Sequence, residues 1–240
     1  MRSATTHGTI MFETDLPEWE RVLSSAARLQ QIVPDAVLVG GTASALYASH
    51  RLSTDADDVL VDLRSRFDAV LADLESVAGW TTARIARPVL ILGSLDGIET
   101  GVRQLIRTAP LETRIVQVGG GTLTIPTEAE ILRIKAALIL KRNTTRDYLD
   151  FVALADHMGT TSALTALDRL DILYPQPNGE SAFQQLQIQL SKPMPYDLDE
   201  AGLAEYKNLT TRWHRWSNVT AECVALSKLI LDRIIATESP

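Results

Sequence analysis

The chain has 240 residues, of which 45% are hydrophobic and 22% charged, and its formal net charge is −7. This composition is typical of a globular protein and excludes a disordered or collagen-like chain. A single cysteine, Cys223, excludes a disulfide scaffold. The acidic balance excludes a global basic field for nucleic acid, so any RNA or DNA contact needs a local patch.

The chain shows no signal for export or membrane insertion. Residues 1–9 lack the apolar segment of a secretory signal, and no run of about 18 apolar residues occurs. We therefore expect a cytoplasmic protein with no membrane partner. Cys223 lies in an apolar run, which favours a buried small hydrophobe over a nucleophile.

The first half of the chain alternates predicted helices and strands. Asp15-Leu16-Pro17 is typical of a helix start, and the helix should end near Pro34. A short apolar run ended by Gly40-Gly41 predicts a buried strand. The following elements are a short helix over 42–49, a strand over 57–63 and an amphipathic helix over 67–77.

Two hairpins follow. Asp96-Gly97 is a strong two-residue hairpin signal between predicted strands over 88–95 and 98–106. A second hairpin is predicted from strands over 112–118 and 122–125, on either side of Gly119-Gly120-Gly121. These elements predict a small mixed β-sheet flanked by helices in residues 1–126.

The pattern becomes helical after Pro126. Thr127 and Glu130 have the spacing of a capping box, which predicts a helix from Thr127 to Arg142. Helical patterns then continue to the end of the chain, interrupted by prolines. The sequence therefore predicts an α+β protein with an α/β domain over 1–126 and a helical domain over 127–240.

Gly40-Gly41-Thr42 joins a predicted strand to a predicted helix. Glycines let the backbone approach a phosphate closely, and the free amides at a helix start favour an anion. Thr42 adds a hydroxyl group to this turn. On its own the pattern also fits a turn with no ligand.

Two carboxylates follow the turn at strand spacing. Asp55 and Asp57 should lie on one face of the next strand, roughly 6.5–7 Å apart along the backbone. Their repulsion would be relieved by Mg²⁺ or Mn²⁺, since hard cations take carboxylate and phosphate oxygens. Such metal ions support phosphoryl or nucleotidyl transfer. The alternative is a polar loop, and Asp58 should point to the other face in a structural or solvent-exposed role.

These motifs resemble the nucleotidyltransferase superfamily, in which a Gly-Gly or Gly-Ser turn precedes an Asp-x-Asp pair on the next strand. The chain is similar in further detail to the AbiEii/AbiGii toxin family, whose members tend to show Gly-Gly-Thr-Ala and His-Arg-x-Ser-x-Asp-x-Asp. The matching segments here are Gly40-Gly41-Thr42-Ala43 and His50-Arg51-Leu52-Ser53-Thr54-Asp55-Ala56-Asp57. The resemblance implies a nucleotidyltransferase-like fold that binds a nucleoside triphosphate (NTP), with the helical domain completing the nucleotide cleft.

The resemblance also implies roles for residues beside the carboxylates. Arg51 and Ser53 would shape the loop or touch the nucleotide, together with Gly40, Gly41 and Thr42. By the same resemblance His50 would shape the loop or touch the nucleotide. The alternative is that it lies at the end of a helix, where the dipole favours it.

The predicted helix over 127–142 carries two basic residues within its apolar stripe. Lys135 and Arg142 lie seven residues apart, on the same stripe as Ile131, Leu138 and Ile139. Charges on a core-facing surface need a partner, which is either protein carboxylates or the phosphates of a bound nucleotide. The alternative is that their long stems only cover apolar surface.

A second charged element begins at Arg146. Arg146 and Asp150 are i,i+4 neighbours, so an intrahelical ion pair is the simplest interpretation. The segment also resembles the toxin family, which carries a lysine in one helix and Arg-Asp-x-x-Asp in the next. The resemblance implies that Lys135 contacts phosphate with Arg142 and Arg146 nearby, and that Asp147 or Asp150 serves in catalysis or orients Lys135.

The third metal ligand of the superfamily is less clear in this sequence. It belongs on a later strand, where Glu99 is the only acid between residues 98 and 106, and Gln104 is the alternative occupant. The predicted metal ligands are therefore Asp55, Asp57 and Glu99. Without Glu99, a binding-only descendant of the fold becomes a serious alternative.

The sequence thus predicts a Mg²⁺- or Mn²⁺-dependent nucleotidyltransferase that uses an NTP. By resemblance, the acceptor is a tRNA 3′ end or a protein hydroxyl, and the context is a toxin–antitoxin or phage-defence system with an antitoxin partner. The alternative is a catalytically inactive nucleotide-binding or partner-binding module. Trp213 and Trp216, beside Arg212, favour core packing over the stacking of single-stranded RNA.

Overall fold

A computed structural model describes residues 17–119, 121–177 and 179–238 of the chain. They form two units. The first contains the described residues up to Gly40 with Thr54–Leu105 and Thr113–Ile125. The second contains Gly41–Ser53, Ile106–Glu112 and the described residues from Pro126 onward. The expected division at residue 126 stays a prediction, because the contacts group two short earlier segments with the helices.

Helix α1 (Pro17–Ile32) opens the first unit. Pro17 stands in its first turn with Glu18 and Glu20, where a missing N–H costs nothing and negative charge is favoured. Val22 and Leu29 are fully buried, as the predicted apolar face requires. The predicted start at Asp15 and Leu16 lies outside the described residues.

The main sheet of the first unit is mixed. Its strands are β1 (Val37–Leu38), β2 (Asp55–Leu60), β3 (Trp80–Ala86), β4 (Leu90–Leu95) and β5 (Ile98–Gln104). Their order in the sheet is β1-β2-β5-β4-β3. The β2–β5 pair is parallel and the other pairs are antiparallel. The predicted mixed sheet is confirmed.

Strand β3 was not predicted. It lies at the edge of the sheet, and most of its side chains are exposed or half-buried, so it lacks the apolar alternation that marks a half-buried strand. The Asp96-Gly97 hairpin is confirmed: Asp96 has φ 54° and Gly97 has φ 79°. Positive φ at both central residues is what a type I′ turn requires.

Helices α1 and α3 (Leu63–Glu75) pack against the same face of the sheet. Helix α2 (Gly40–Ala48) follows β1, and its first residue belongs to this unit. Helix α3 begins before the predicted residue 67. Its Arg66 has a non-helical φ of −125°, so regular periodicity starts only at Phe67.

The core of the first unit fixes the faces of β2. Buried residues of α1, α3 and the sheet form one cluster: Leu29, Val33, Leu60, Phe67, Val70, Leu74, Ile91, Leu95 and Val102. Since side chains alternate along a strand, Ala56, Asp58 and Leu60 face this core, and Asp55, Asp57 and Val59 face away. A two-stranded sheet of β6 (Thr113–Val118) and β7 (Gly121–Pro126) completes the unit. The predicted hairpin residue Gly120 lies outside the described residues.

The second unit is built mainly from helices. They are α4 (Glu128–Arg142), α5 (Thr145–Met158), α6 (Thr160–Leu167), α7 (Leu170–Leu173), α8 (Ala182–Ser191) and α9 (Trp216–Glu238), with short 3-10 helices at Ala201–Glu205 and Thr211–His214. Among the described helices, none has the length and apolar character needed to cross a bilayer.

Helix α4 begins as predicted, with half of a capping box. The Thr127 hydroxyl accepts a hydrogen bond from the Glu130 N–H at 3.3 Å. The Glu130 carboxylate is buried and accepts hydrogen bonds from Arg107 at 2.7 Å and Arg133 at 3.1 Å. Glu130 therefore has two roles. Its N–H is capped by Thr127, and its carboxylate belongs to a buried ion network.

Candidate functional site

Asp55 and Asp57 share the outward face of β2. In the parallel ladder, Asp55 is paired with Glu99 and Asp57 with Gly101. Paired residues in such a ladder point to the same side of the sheet, so the outward face of β5 carries Glu99, Gly101 and Arg103. Both aspartates are half-buried, and the Asp57 side chain is 30% exposed.

The glycine turn lies directly against this strand. The Val39 N–H donates to the Asp57 carbonyl at 2.8 Å. Gly40 has φ +75°, a conformation that favours glycine. A Cβ atom at Gly40 would lie 3.7 Å from the Asp57 Cβ and 3.8 Å from its Oδ2. The turn therefore brings backbone, with no intervening side chain, to the edge of the carboxylate.

The predicted third ligand is not gathered with the other two. Glu99 shares their face and is exposed. Within the described part of the chain, however, no three His, Cys, Asp or Glu side chains come close enough to hold one metal ion. Gly101, the partner of Asp57, has no side chain, and the Leu92 Cδ2 lies 2.6 Å from where its Cβ would be.

Gln104 does not take the place of the third ligand. It is paired with Leu60, so it belongs to the opposite face of the sheet from Asp57. Its side-chain amide donates to the Val61 carbonyl at 2.7 Å and accepts from the Arg64 N–H at 2.9 Å. Gln104 therefore ties the end of β2 to the start of α3.

Arg103 is a site residue that the sequence analysis missed. Its Nε and Nη2 atoms both lie 3.3 Å from the Asp57 Oδ1. The signal was present in the alternation of β5, because Arg103 stands two residues after Gly101 and four after Glu99. Arg103 gives Asp57 a positive partner on the open face of the sheet.

The two aspartates fit a hard divalent cation. Mg²⁺ is commonly held by one or two carboxylates, with water and substrate phosphate oxygens filling its other positions. Asp55 and Asp57 supply such a pair, and the glycine turn beside Asp57 leaves room for a phosphate group to approach. A third protein carboxylate is not required for this mode of binding.

Asp58 has a different environment from its neighbours. It is fully buried, and its Oδ1 accepts a hydrogen bond from the Gln30 amide at 3.0 Å. Gln30 is itself fixed by the backbone N–H and carbonyl of Thr124 on β7. Burial raises the pKa of Asp58 to about 7. The structural role considered for Asp58 is confirmed, and the solvent-exposed one is wrong.

In the second unit, Asp150 is the centre of a buried ion cluster. His50 Nε2 and Arg51 Nε each lie 2.8 Å from its Oδ1. Arg51 Nη2 lies 3.1 Å and Lys135 Nζ 2.6 Å from its Oδ2. Burial alone would raise the pKa of Asp150, but Arg51, Lys135 and His50 hold it well below its usual range.

This cluster gives partners to three residues that the sequence singled out. Asp150 pairs with Arg51 and Lys135 instead of with Arg146, which is exposed. Lys135 is 3% exposed and does not extend its amino group to solvent, so its partner is a protein carboxylate. His50 follows the last residue of α2 by two positions, and its ring is buried within the cluster, where burial lowers its pKa.

Asp147 extends the cluster along α5. It accepts two hydrogen bonds from Arg142, at 3.1 and 2.7 Å, and one from the Thr144 hydroxyl at 2.6 Å. Lys135 Nζ lies 3.8 Å away. The structure thus brings Lys135, Arg142, Asp147 and Asp150 together, and the charges on the predicted stripe have protein carboxylates as partners.

The first turn of α2 packs against the same cluster. A Cβ atom at Gly41 would lie 2.5 Å from the Arg51 Nη2 and 2.9 Å from the Ser53 Oγ. The Arg51 guanidinium therefore stands at the positive end of a nine-residue helix, where the helix dipole favours an anion. Thr42, the predicted hydroxyl donor of this turn, is buried.

The aromatic residues near Arg212 are part of the core. Trp213 and Trp216 are buried, and Arg212 is paired with Asp156 at 2.6 Å and Glu222 at 3.0 Å. The predicted core packing is confirmed. Cys223 is buried as well, and burial raises the pKa of its thiol.

No protein-family model matches the chain. Among curated proteins, the haem uptake protein MmpL11 of Mycobacterium tuberculosis is 29% identical over 228 residues, covering 88% of this chain and 22% of that protein. The mycolic acid-containing lipids exporter MmpL11 of Mycolicibacterium smegmatis is 33% identical over 129 residues, covering 52% of this chain and 13% of that protein. The chain spans about a fifth of the length of the first of these relatives.

Two solved structures are similar to this chain. A protein of H. pylori, named provisionally as a nucleotidyltransferase, matches with a TM-score of 0.51 and 16% identity over 90% of this chain and 98% of that chain. An antigenic nucleotidyltransferase-like protein from Paracoccidioides brasiliensis covers 69% of this chain and 91% of its own, with a TM-score of 0.44 and 19% identity. The first match establishes that this chain has a nucleotidyltransferase-like α+β fold, as predicted.

Proposed function

We propose that the chain is a nucleotidyltransferase that transfers a nucleoside monophosphate from an NTP and depends on Mg²⁺ or Mn²⁺. One observation carries the proposal: Gly40, at positive φ, lies against Asp57 on a strand face that Asp57 shares with Asp55. A side-chain-free bend beside two carboxylates suits a phosphate chain and a divalent cation together. The nucleotidyltransferase-like fold supports the same class of chemistry.

Asp55 and Asp57 would hold the divalent cation through their carboxylate oxygens. When bound, the cation would neutralise phosphate charge and polarise the phosphate that is attacked. The Gly40 backbone would let the triphosphate approach the strand. In this chemistry an acceptor hydroxyl attacks the α-phosphate and pyrophosphate leaves, so the protein acts mainly by positioning and by stabilising charge.

The buried ion cluster around Asp150 carries cations that suit anionic groups of a substrate. Arg51 stands at the positive end of α2, and Lys135 and Arg142 are held by Asp150 and Asp147. We propose that Asp150 positions Arg51 and holds Lys135 inside the cluster. Arg51, Arg142, Arg146 and Ser53 are the candidates for phosphate contact. Asp147 holds Arg142 and Thr144, which makes it a positioning residue in this proposal.

The acceptor and biological context follow from the resemblance to the AbiEii/AbiGii toxins. We propose an acceptor hydroxyl on a tRNA 3′ end or on a protein, in a toxin–antitoxin or phage-defence system with an antitoxin partner. The MmpL11 relatives are much longer than this chain.

A second candidate function is a catalytically inactive module that binds nucleotide or a partner. The pairing of Asp57 with Arg103 at 3.3 Å favours it, as does the separation of Glu99 from the two aspartates. The inactive module would bind a triphosphate without releasing pyrophosphate. Calorimetric titration alongside a pyrophosphate assay separates the two functions.

The test is a panel of the four NTPs, each labelled at the α-phosphate, incubated with the protein, Mg²⁺ and total RNA. We expect labelled RNA or labelled protein with the parent chain and none with Asp55→Ala or Asp57→Ala. Asp73→Ala is the matched control, since Asp73 is an exposed carboxylate of the same unit. Transfer retained by both strand variants contradicts the proposal, provided that circular dichroism shows all of the proteins folded.

A further inference from the structure

Arg103 contacts Asp57 on the outward face of the sheet. It lies on β5 two residues beyond Gly101, the ladder partner of Asp57, and its guanidinium reaches back to the Asp57 Oδ1. Gly101 contributes no side chain to this face, and Arg103, from the same strand, supplies the side chain that contacts Asp57. The guanidinium and a divalent cation would therefore compete for the same Asp57 carboxylate.

The contact between Arg103 and Asp57 is weak enough to exchange. Both nitrogens approach the same oxygen at 3.3 Å, which is longer than a strong charge-assisted hydrogen bond. The side chains are 45% and 30% exposed. Pairs of this kind contribute little to stability, so releasing Arg103 does not disturb the fold.

Other charges on this face strengthen the case for competition. Asp55 and Glu99 are paired in the ladder, two residues before the pair formed by Asp57 and Gly101. Arg103 is thus the cation paired with Asp57, on a face where Asp55 and Glu99 add two further carboxylates. A free divalent cation binding there must overcome the repulsion of Arg103 and break its contact with Asp57.

We propose that Arg103 is a competing counter-charge, which weakens the binding of a free divalent cation and yields when the cation arrives together with a triphosphate. The negative phosphates would then give the released guanidinium a new partner. This inference rests on the proposed metal site of Asp55 and Asp57. Its consequence is that metal and nucleotide bind more tightly together than either does alone.

The first measurement is the affinity for free Mn²⁺, read from the electron paramagnetic resonance signal of unbound Mn²⁺ without nucleotide. Arg103→Gln should bind Mn²⁺ at least about fivefold more tightly than the parent chain, because one repelling charge near the ion is removed. Arg103→Lys keeps that charge and should resemble the parent. Arg84→Gln, at an exposed arginine of β3, makes the same change in net charge and should leave the affinity unchanged.

The second measurement repeats the titration with a saturating α,β-methylene NTP analogue. The analogue should increase the Mn²⁺ affinity of the parent chain by a larger factor than that of Arg103→Gln. The proposal is overturned if Arg103→Gln and Arg84→Gln are alike, or if folded Arg103→Gln shows no Mn²⁺ binding. Tighter Mn²⁺ binding by Arg103→Gln without nucleotide transfer by the parent would sustain this inference and reject the proposed activity.

Discussion

Arg51 donates two hydrogen bonds to Asp150, from Nε at 2.8 Å and from Nη2 at 3.1 Å, across 99 positions of sequence. The same guanidinium lies against Gly41, in the first turn of α2. One side chain thereby ties the helix after the glycine turn to α5. This relationship makes Gly41, Arg51 and Asp150 one structural group, and it leads to the first two predictions.

Gly41→Ala should displace Arg51 from the start of α2. The added Cβ would lie 2.5 Å from the Arg51 Nη2, and inserting a methyl group into such a packed position costs about 1–3 kcal/mol. Urea unfolding measures this loss. Gly119→Ala is the matched control, because a Cβ there meets nothing within 4 Å. Equal free energies of unfolding for the two variants would show that the contact is not tight.

Lys135→Met should destabilise the second unit strongly. It leaves Asp150 buried with one cation fewer, and breaking a buried pair by removing one partner costs about 3–5 kcal/mol. As the control, Arg233→Gln removes a partner of Asp168 from an exposed pair, and should change the free energy of unfolding by no more than about 1 kcal/mol. A loss as small for Lys135→Met as for the control would contradict the account of this cluster.

Asp58 should make stability depend on pH. Its pKa rises from 3.8 to about 7 in the folded protein because of burial. A raised folded pKa gives a contribution that is complete below the unfolded pKa of 3.8 and is lost as pH rises through 7. Replacement by asparagine removes this titration while keeping an oxygen for the Gln30 amide.

The measurement is the free energy of unfolding of the parent chain and of Asp58→Asn at pH 5, 6, 7 and 8. As pH rises from 5 to 7, the difference in free energy of unfolding should shift in favour of the variant by about 2–3 kcal/mol, and it should level off above pH 7. The asparagine also places a buried N–H where the Asp58 Oδ2 has no partner, which destabilises the variant equally at every pH. The test is therefore how the difference in free energy of unfolding changes with pH, and not its absolute value. Parallel pH profiles would rule out a buried carboxyl that titrates near neutrality.

Most of the first unit could be predicted from local signals. The hairpin at Asp96-Gly97, the apolar face of α1 and the strand before Gly40 each carry their own pattern within a few residues. Strand β3 could not be found this way, because an edge strand with exposed side chains has no apolar alternation. Its place depends on pairing with β4, which is information that the segment itself does not contain.

The site was predictable in its motifs but not in its pairings. Spacing placed Asp55 and Asp57 on one face, and the apolar stripe of α4 showed that Lys135 needed a partner. The pairing of Asp150 with Arg51 joins residues 99 positions apart. A local i,i+4 rule pointed instead to Arg146, because it ignores tertiary neighbours. Arg103 was missed for the same reason, since its role depends on the parallel register of β2 and β5.

The central claim is that Asp55 and Asp57 bind a divalent cation together with a triphosphate. Its most direct measurement is calorimetric titration of the four α,β-methylene NTP analogues, with and without Mg²⁺, into the parent chain and into the Asp55→Asn/Asp57→Asn double variant. We predict that Mg²⁺ increases the affinity of the parent chain for at least one analogue, and that the folded double variant shows no such increase. The same Mg²⁺-dependent gain in both proteins, or none in the parent chain, would contradict the claim.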